Sequence, residues 1–246
     1  MLELLREVKV EEFVENFKSK ELCEILEATI EFNNYRNYYN IDKMGNVKTK
    51  SPNEALVKLS LLGNEFLGEY FQKGLFITEK RKIHKIDRLS DFTVEHLEKN
   101  LYKIFFNRDI NVAYRYVKEF ILKDKEFFIK KLSHFVLLNN IDNNKSLITL
   151  AFIKALGNVN KKNIDSILYS YLPYIVTFPS EISTKEDLEI KAYNIESLDL
   201  NALAYLNLIV LGYEEYNKIY AKAIDSGLES YFNDIFKDRI TKQITL

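Results

Sequence analysis

Helix-breaking residues are rare in this chain, and their scarcity constrains the fold more than any other feature. Among 246 residues there are only 7 Gly and 3 Pro, the residues that usually mark the turns of β-rich proteins. Apolar side chains instead recur every three to four positions along nearly the whole length, which is the spacing of one face of an α-helix. The sequence therefore predicts an all-α fold built by packing helix against helix.

The clearest helix begins after Ser51, which can cap the first turn. Pro52 suits the first helical position, Glu54 completes a capping box, and Gly63 follows the apolar face as a stop signal. A second helix is predicted from 64 to 72. Further helices are predicted at 10–18, 20–32, 93–106, 111–122, 124–139, 145–156, 161–171, 185–193, 200–211, 213–225 and 227–239.

A Leu-Gly pair ends an apolar helix three times, at Gly63, Gly157 and Gly212, and another amphipathic stretch follows each pair. This order favours antiparallel helix pairs. The glycines are 94 and then 55 residues apart, so the spacing does not support a repeat array of fixed period. We expect an irregular array of about 10–12 helices in a single domain spanning 1–246.

Two segments lack a helical pattern. Residues 40–50 contain Gly45 among polar neighbours and are expected to form a loop. Residues 172–183 contain Pro173 and Pro179 around a β-prone stretch, so this segment is either a linker or lid that subdivides the domain, or a buried extended segment. The sequence predicts no sheet, or at most a minor extended segment near 174–178.

Cysteine usage and hydropathy predict a cytoplasmic protein. Cys23 is the only cysteine, so no internal disulfide can form, and we expect it to pack in the core. Residues 1–7 carry an acid where a signal peptide needs bases, which argues against export. The longest apolar stretch, 203–211, contains Asn207 and is far shorter than the roughly 20 residues of a membrane span.

The charge distribution argues against nucleic-acid binding. Residues 41–145 carry 20 Lys and Arg against 14 Asp and Glu, an excess too small for a dedicated binder. The densest basic run, 80–88, is better explained as a solvated helix face than as a phosphate contact. The abundance of Lys, Ile, Asn, Tyr and Phe is typical of an A/T-rich bacterial genome.

Catalytic spacings are missing from the sequence. His84, His96 and His134 are not preceded by Glu or His at metal-ligand spacing, so we expect no metal site and instead exposed or capping histidines. The phosphate-binding loops and the hydrolase nucleophile motif are also missing. Ser133 and His134 are neighbours on a helix and point about 100° apart, so they cannot form a nucleophile and base pair. No cofactor is evident.

One cluster has the composition of a ligand site. Polar amides, aromatic rings and an arginine alternate from 33 to 40, a combination that can line a polar pocket or stack on a flat ligand. The fraying end of a helix with aromatic anchors explains the same residues. The candidate ligand-binding residues are Asn34, Tyr35, Arg36, Tyr38 and Tyr39.

Three segments go beyond a generic helical pattern: Glu54–Gly63, Ser146–Phe152 and Asn163–Tyr171. In their residues and in their order along the chain, these segments resemble the questin oxidase-like family. The resemblance implies a helical fold and a cofactor-using oxidase that opens an anthraquinone ring by oxygen insertion. The family pattern places histidines just before both apolar helices, where this chain has residues 48–52 and 143–145, so no catalytic residue is transferred.

Two functional hypotheses follow. The first is a helical protein without catalytic residues that binds a protein partner or a small molecule in a groove between helix pairs. The alternative is a divergent questin oxidase-like oxidoreductase that acts on a hydrophobic aromatic substrate and uses NADPH.

Overall fold

Helices make up most of the residues that the computed structural model describes, which are 10–33, 39–41, 47–49, 54–75, 83, 89–137, 145–157, 159–177 and 200–212. The α-helices of these residues are α1 Val10–Phe17, α2 Leu22–Thr29, α3 Glu54–Leu62, α4 Leu67–Glu69, α5 Val94–Asn107, α6 Ile110–Lys123, α7 Lys125–Leu137, α8 Lys145–Ala155, α9 Ile164–Thr177 and α10 Leu200–Gly212. The predicted all-α class is confirmed. None of these helices is both long and apolar enough to cross a lipid bilayer.

Most predicted helices agree with observed ones to within a few residues at each end. Gly63 ends α3 with φ of 104°, a left-handed conformation that favours glycine, so the predicted stop is confirmed. The predicted helix at 64–72 is less regular than expected. It consists of a 3₁₀ turn at Asn64–Phe66, the single turn of α4 and a π-helical turn at Tyr70–Gly74. The helices predicted at 185–193, 213–225 and 227–239 lie outside the described residues.

The prediction of an extended segment near 174–178 is wrong for residues 174–177, because α9 continues as a helix to Thr177 with Pro173 inside it. A proline in a helix removes one backbone hydrogen bond and costs about 3 kcal/mol. Residues 171–176 are all buried, and this burial outweighs both the proline and the β propensity of the segment. Residues 172–177 are therefore neither a linker nor a lid.

A small sheet lies where a loop was expected. Strand β1, Tyr39–Ile41, pairs with β2, Val47–Thr49, in an antiparallel hairpin whose register places Tyr39 opposite Thr49. Both strands contain β-branched or aromatic residues, and Gly45 falls between them in the sequence, which is a hairpin pattern. The polar residues and Gly45 of 40–50, when they are considered without the flanking strand residues, favour a loop, which is why no strand was predicted there.

Helices α8 and α9 lie at the centre of the described helices. α8 contacts α3, α7, α9 and α10, while α9 contacts α2, α6 and α8. Both are apolar on nearly all sides, as expected for helices that are surrounded by others. Their side chains join one continuous apolar core that extends from Cys23 to Ile209. Cys23 is itself buried, as predicted, and burial together with nearby Glu21 raises the pKa of its thiol.

Short connections orient the outer helices. Arg108 and Asp109 join α5 to α6, and Asp124 alone joins α6 to α7. Arg108 has φ of 57°, one of the few left-handed positions that a residue other than glycine occupies. The Asp109 Oδ1 then accepts from the backbone N–H groups of Asn111 and Val112 at 3.1 and 3.2 Å, and so caps α6.

Candidate functional site

The predicted ligand-binding cluster is described only at its edges. Asn34, Tyr35, Arg36 and Tyr38 lie outside the described residues, and Tyr39 is the first residue of β1. Asn33, which precedes them, is fully buried. Its Nδ2 donates to the Ser170 Oγ at 3.2 Å, and its backbone forms a bridge with Leu75. Of the described residues that border the cluster, Asn33 is bonded to α9 and Tyr39 belongs to the hairpin, while the ligand-binding role of the cluster stays a prediction.

Buried hydroxyl groups form further hydrogen bonds between elements of the core. The Thr29 Oγ1 lies 2.9 Å from the Tyr70 hydroxyl and 2.7 Å from the Ile25 carbonyl oxygen. Because the single proton of Thr29 is donated to the carbonyl, Tyr70 must donate to Thr29. The Ser60 Oγ likewise donates to the Leu56 carbonyl at 2.6 Å and accepts from the Tyr171 hydroxyl.

These hydrogen bonds hold the interior together and do not prepare it for proton transfer. Burial raises the pKa of Tyr70 and of Tyr171 well above the usual tyrosine value, so both phenols remain protonated. Each phenol is also fully enclosed. The buried hydroxyls therefore form structural cross-links between α2, α3, α9 and the π-helical turn.

One buried hydroxyl, that of Thr149, lacks such a hydrogen bond within the described part of the chain, and its replacement tests how much these bonds contribute to stability. Thr149 on α8 is fully buried, and its Oγ1 has no hydrogen-bond partner among the described residues. We expect Thr149→Val to raise the free energy of unfolding by about 1 kcal/mol, because valine has the same shape without the unsatisfied hydroxyl. Thr29→Val is the matched control and should lower it by about 2 kcal/mol, since Tyr70 loses its acceptor. Urea unfolding measures both changes in the free energy of unfolding. If the two variants changed it in the same direction, the Thr149 hydroxyl would not be unsatisfied as the structure indicates.

A buried carboxylate fixes the segment that leads into α5. Glu119 on α6 is 2% exposed and accepts from the Ser90 N–H at 2.9 Å, the Phe92 N–H at 3.2 Å and the Ser90 hydroxyl. The Lys123 Nζ lies 2.8 Å from the same carboxylate and also donates to the Phe92 carbonyl. Burial alone would raise the pKa of Glu119, but the hydrogen bonds from Lys123 and Ser90 outweigh it and hold the pKa below its usual value. We call these four residues the Glu119 anchor.

Three aromatic rings lie at the surface beside the Glu119 anchor. The rings of Phe92 and His96 stack with centroids 4.2 Å apart and planes inclined by 25°. Tyr116 contacts both rings, at 5.7 Å from Phe92 and 6.5 Å from His96. Phe92 is 37% exposed, His96 is exposed and Tyr116 is half-buried. We call Phe92, His96 and Tyr116 the aromatic patch.

The aromatic patch joins two helices. Phe92 and His96 lie on either side of Thr93, whose Oγ1 accepts from the His96 N–H at 3.3 Å and caps α5. Tyr116 comes from α6, one turn before Glu119. Burial and the charge of Glu119 raise the pKa of the Tyr116 phenol, so it stays neutral near pH 7. The patch therefore places aromatic rings from two elements at the surface.

His134, the second histidine that the structure describes, contacts the end of a helix. The His134 Nε2 lies 2.6 Å from the carbonyl oxygen of Gly212, the last residue of α10. Burial lowers the pKa of His134, which favours a neutral ring that donates to this carbonyl. His96 is exposed and His134 caps a helix, as the sequence predicted for these two, while His84 lies outside the described residues. Among the residues that the structure describes, no three His, Cys, Asp or Glu side chains are placed to hold a metal ion.

Sequence reasoning missed the aromatic patch. A local signal existed, because Phe92 and His96 are four residues apart across the start of a helix. Tyr116 and Glu119 gave no such signal, since they lie at least twenty residues further along the chain. Only the packing of α5 against α6 brings the two parts together.

Comparisons with known proteins do not identify this chain: no protein-family model, curated protein or solved structure matches it. The resemblance to the questin oxidase-like family therefore stays a prediction. The candidate site rests on the geometry of the described residues.

Proposed function

We propose that this chain is a helical binding protein, without a catalytic role of its own, that docks a protein partner on the aromatic patch. The observation that carries the proposal is the exposed stack of Phe92 on His96 beside Tyr116. Aromatic side chains supply much of the binding energy in protein interfaces because they bury a large area at a small cost in conformational entropy.

Rigidity supports the proposal. The Phe92 N–H donates to Glu119 and the Phe92 carbonyl accepts from Lys123, so the backbone beneath the ring is bonded on both sides. A side chain that is already held in place loses less entropy on binding. The Phe92 ring is therefore prepared for contact before a partner arrives.

The burial of the Glu119 carboxylate also supports the partner-binding proposal. A buried carboxylate contributes little to stability compared with apolar packing, because its desolvation offsets much of its attraction. Glu119 nevertheless lies in the interior and binds a segment whose own side chains face solvent, with Leu89 40% and Phe92 37% exposed. Glu119 therefore holds an exposed segment in place at the surface, and this role fits a binding surface better than it fits core packing.

The surroundings of the patch match the composition of a protein interface. Asp91, Glu95 and Lys99 are exposed and lie within three residues of Phe92 or His96 in the sequence, so charges of both signs occur near the rings. Interfaces between proteins commonly have an apolar centre and a polar rim. The mixed charges favour a protein surface over a polyanion, which would need a concentrated basic face.

The test compares two alanine variants of the patch with a matched control. Phe92→Ala and His96→Ala are expected to reduce capture of a partner from a lysate of the source cells at least about tenfold, equivalent to about 1.4 kcal/mol. Phe106→Ala removes an equally exposed ring, 45% exposed, from outside the patch and should retain the partner. Circular dichroism should show the same helix content in all variants.

Quantitative mass spectrometry of the captured proteins decides the outcome. A partner that wild type and Phe106→Ala retain, and that both patch variants lose, supports the proposal. Identical captured proteins for all four forms would contradict it.

The oxidoreductase alternative makes a different prediction. A divergent questin oxidase-like enzyme would carry a bound chromophore or consume NADPH and oxygen with quinone-like aromatic substrates. Absorbance of the purified protein and an oxygen electrode measure both. Turnover that survives Phe92→Ala would replace the partner-binding proposal.

The proposal also includes a cytoplasmic location in a bacterium. Cys23 as a lone, buried thiol fits a reducing compartment, and the Lys-, Ile- and Asn-rich composition fits an A/T-rich bacterial genome. Fractionation of source cells with an antibody against the chain tests the location.

A further inference from the structure

Basic side chains predominate on the exposed surface of α5 and α6, the two helices that contribute to the aromatic patch. The exposed charged residues of these helices are four basic ones and a single acidic one: Lys99, Lys103, Arg115 and Lys123, and Glu95. Lys123 is already bonded to the Glu119 carboxylate, and Glu95 lies four residues before Lys99, at the spacing of a helical ion pair. Positive charge is therefore in excess on this surface.

The turn of α5 places two of these lysines beside the aromatic patch. Lys103 comes seven residues after His96, so it lies within about 20° of His96 around the helix axis and about 10 Å further along it. Lys99 comes three residues after His96, within about 60° and about 5 Å. Between them the Asn100 side chain hydrogen-bonds to the Tyr116 phenol. The patch and the two lysines thus occupy one continuous stretch of surface.

The stability of α5 does not explain the positions of Lys99 and Lys103. Like charges four residues apart on a helix repel each other and weaken the helix slightly. Neither lysine is in the last turn of α5, where a positive charge would interact favourably with the helix dipole. The residues three and four positions from Lys103 are 99, 100, 106 and 107, and none of them is acidic. The charge of the two lysines is therefore available to a partner.

We propose that the aromatic patch and the two lysines form one binding surface for an acidic peptide segment that carries an apolar or aromatic anchor. The inference rests on the proposed function, because it takes the partner to be a protein that docks on the patch. The anchor packs on the rings of the patch, and carboxylates of the same segment face Lys99 and Lys103.

The spacing within α5 also sets the spacing within the partner. The separation of about 10 Å between His96 and Lys103 corresponds to about seven residues of a helical segment or about three of an extended one. The partner segment therefore has Asp or Glu about three to seven residues from its anchor.

A nucleic acid matches this surface less well than an acidic peptide does. Nucleic-acid sites concentrate many basic side chains on one face, whereas here two lysines adjoin a cluster of rings, and Asp91 and Glu95 are also exposed near those rings. An acidic peptide supplies a few carboxylates and one anchor, which corresponds to two lysines and three rings.

The test selects peptides on the full chain from a random library displayed on phage. Each enriched peptide is then synthesised with a fluorescent label, and anisotropy measures its Kd for wild type and for Phe92→Ala. We expect enriched peptides that bind Phe92→Ala at least about tenfold more weakly than wild type. These peptides should carry an apolar or aromatic residue with Asp or Glu about three to seven positions away.

A charge reversal then tests the role of the lysines. Lys103→Glu should weaken the binding of these peptides about fivefold in about 0.1 M salt. The difference from wild type should narrow in about 1 M salt, where charges are screened over about 3 Å. Lys161→Glu is the matched control, because Lys161 is exposed in the turn before α9, and it should bind the peptides like wild type. Circular dichroism checks that the helix content is the same in all variants.

The possible outcomes separate this inference from the proposed function. If the peptides that depend on Phe92 have no acidic preference, or bind Lys103→Glu as tightly as wild type, the inference is overturned while the docking site on the patch stands. If no enriched peptide depends on Phe92, the proposed function and the inference are overturned together.

Discussion

Phe152→Ala is expected to lower the free energy of unfolding by about 4 kcal/mol, the largest effect of any single substitution proposed for this chain. Phe152 is fully buried on α8, where its ring stacks on Tyr171 at 5.7 Å and meets Phe128 edge to face at 6.3 Å. The change removes a whole ring at the point where α7, α8 and α9 meet. It leaves a cavity that the surrounding helices cannot fill.

Urea unfolding followed by circular dichroism measures this effect, with Phe106→Ala as the control. Phe106 is 45% exposed, so its truncation should change the free energy of unfolding by less than about 1 kcal/mol. Phe152→Leu retains most of the apolar volume and should fall between the two. A loss below about 1 kcal/mol for Phe152→Ala would show that α8 is not central to the fold.

Glu119→Ala is expected to lower the free energy of unfolding by about 3 kcal/mol. The substitution leaves the N–H groups of Ser90 and Phe92 without their acceptor and removes the ion pair with Lys123. The control is Glu98→Ala, because Glu98 forms a more exposed ion pair with Lys131. Such pairs contribute less than about 1 kcal/mol. Equal losses for the two variants would contradict a special role of Glu119.

The pH dependence of the same comparison follows from the lowered pKa of Glu119. In the unfolded chain this carboxyl has its ordinary pKa of about 4.5, so folding favours the ionised form. The stability that Glu119 contributes is therefore complete above about pH 4.5 and is lost as the pH falls through the folded-state pKa. The difference between wild type and Glu119→Ala should be constant near neutral pH and narrow below about pH 4.5.

Particular residues show how far the sequence predicted the candidate site. The predicted cluster from 33 to 40 includes Asn33, which is buried and bonded to Ser170, but residues 34–38 lie outside the described residues and the ligand-binding role stays a prediction. The aromatic patch was not predicted, because the feature that makes it rigid is a carboxylate 27 to 29 residues away from the segment it holds. A periodicity argument detects neighbours within one or two helical turns and cannot detect such a pair.

The properties of Lys145, the first residue of α8, could not be predicted from the sequence either. In the sequence it is one of 35 basic residues, and its position just before an apolar run gave no reason to expect burial. Its lowered pKa arises from enclosure and from Arg108, which is 37 residues away in the sequence. Both causes exist only in the folded chain.

The sequence by itself determined the helical class, the approximate ends of most described helices and the stop at Gly63, because these depend on interactions within a few residues. The tertiary structure decided which helices became central, that Pro173 remains inside a helix, and which polar groups meet in the interior. The contacts of Tyr171 with Ser60 and of Asn33 with Ser170 span 111 and 137 residues. Such pairs form only when burial of the whole apolar core offsets the loss of chain entropy, and that cooperative balance is not present in any local stretch of sequence.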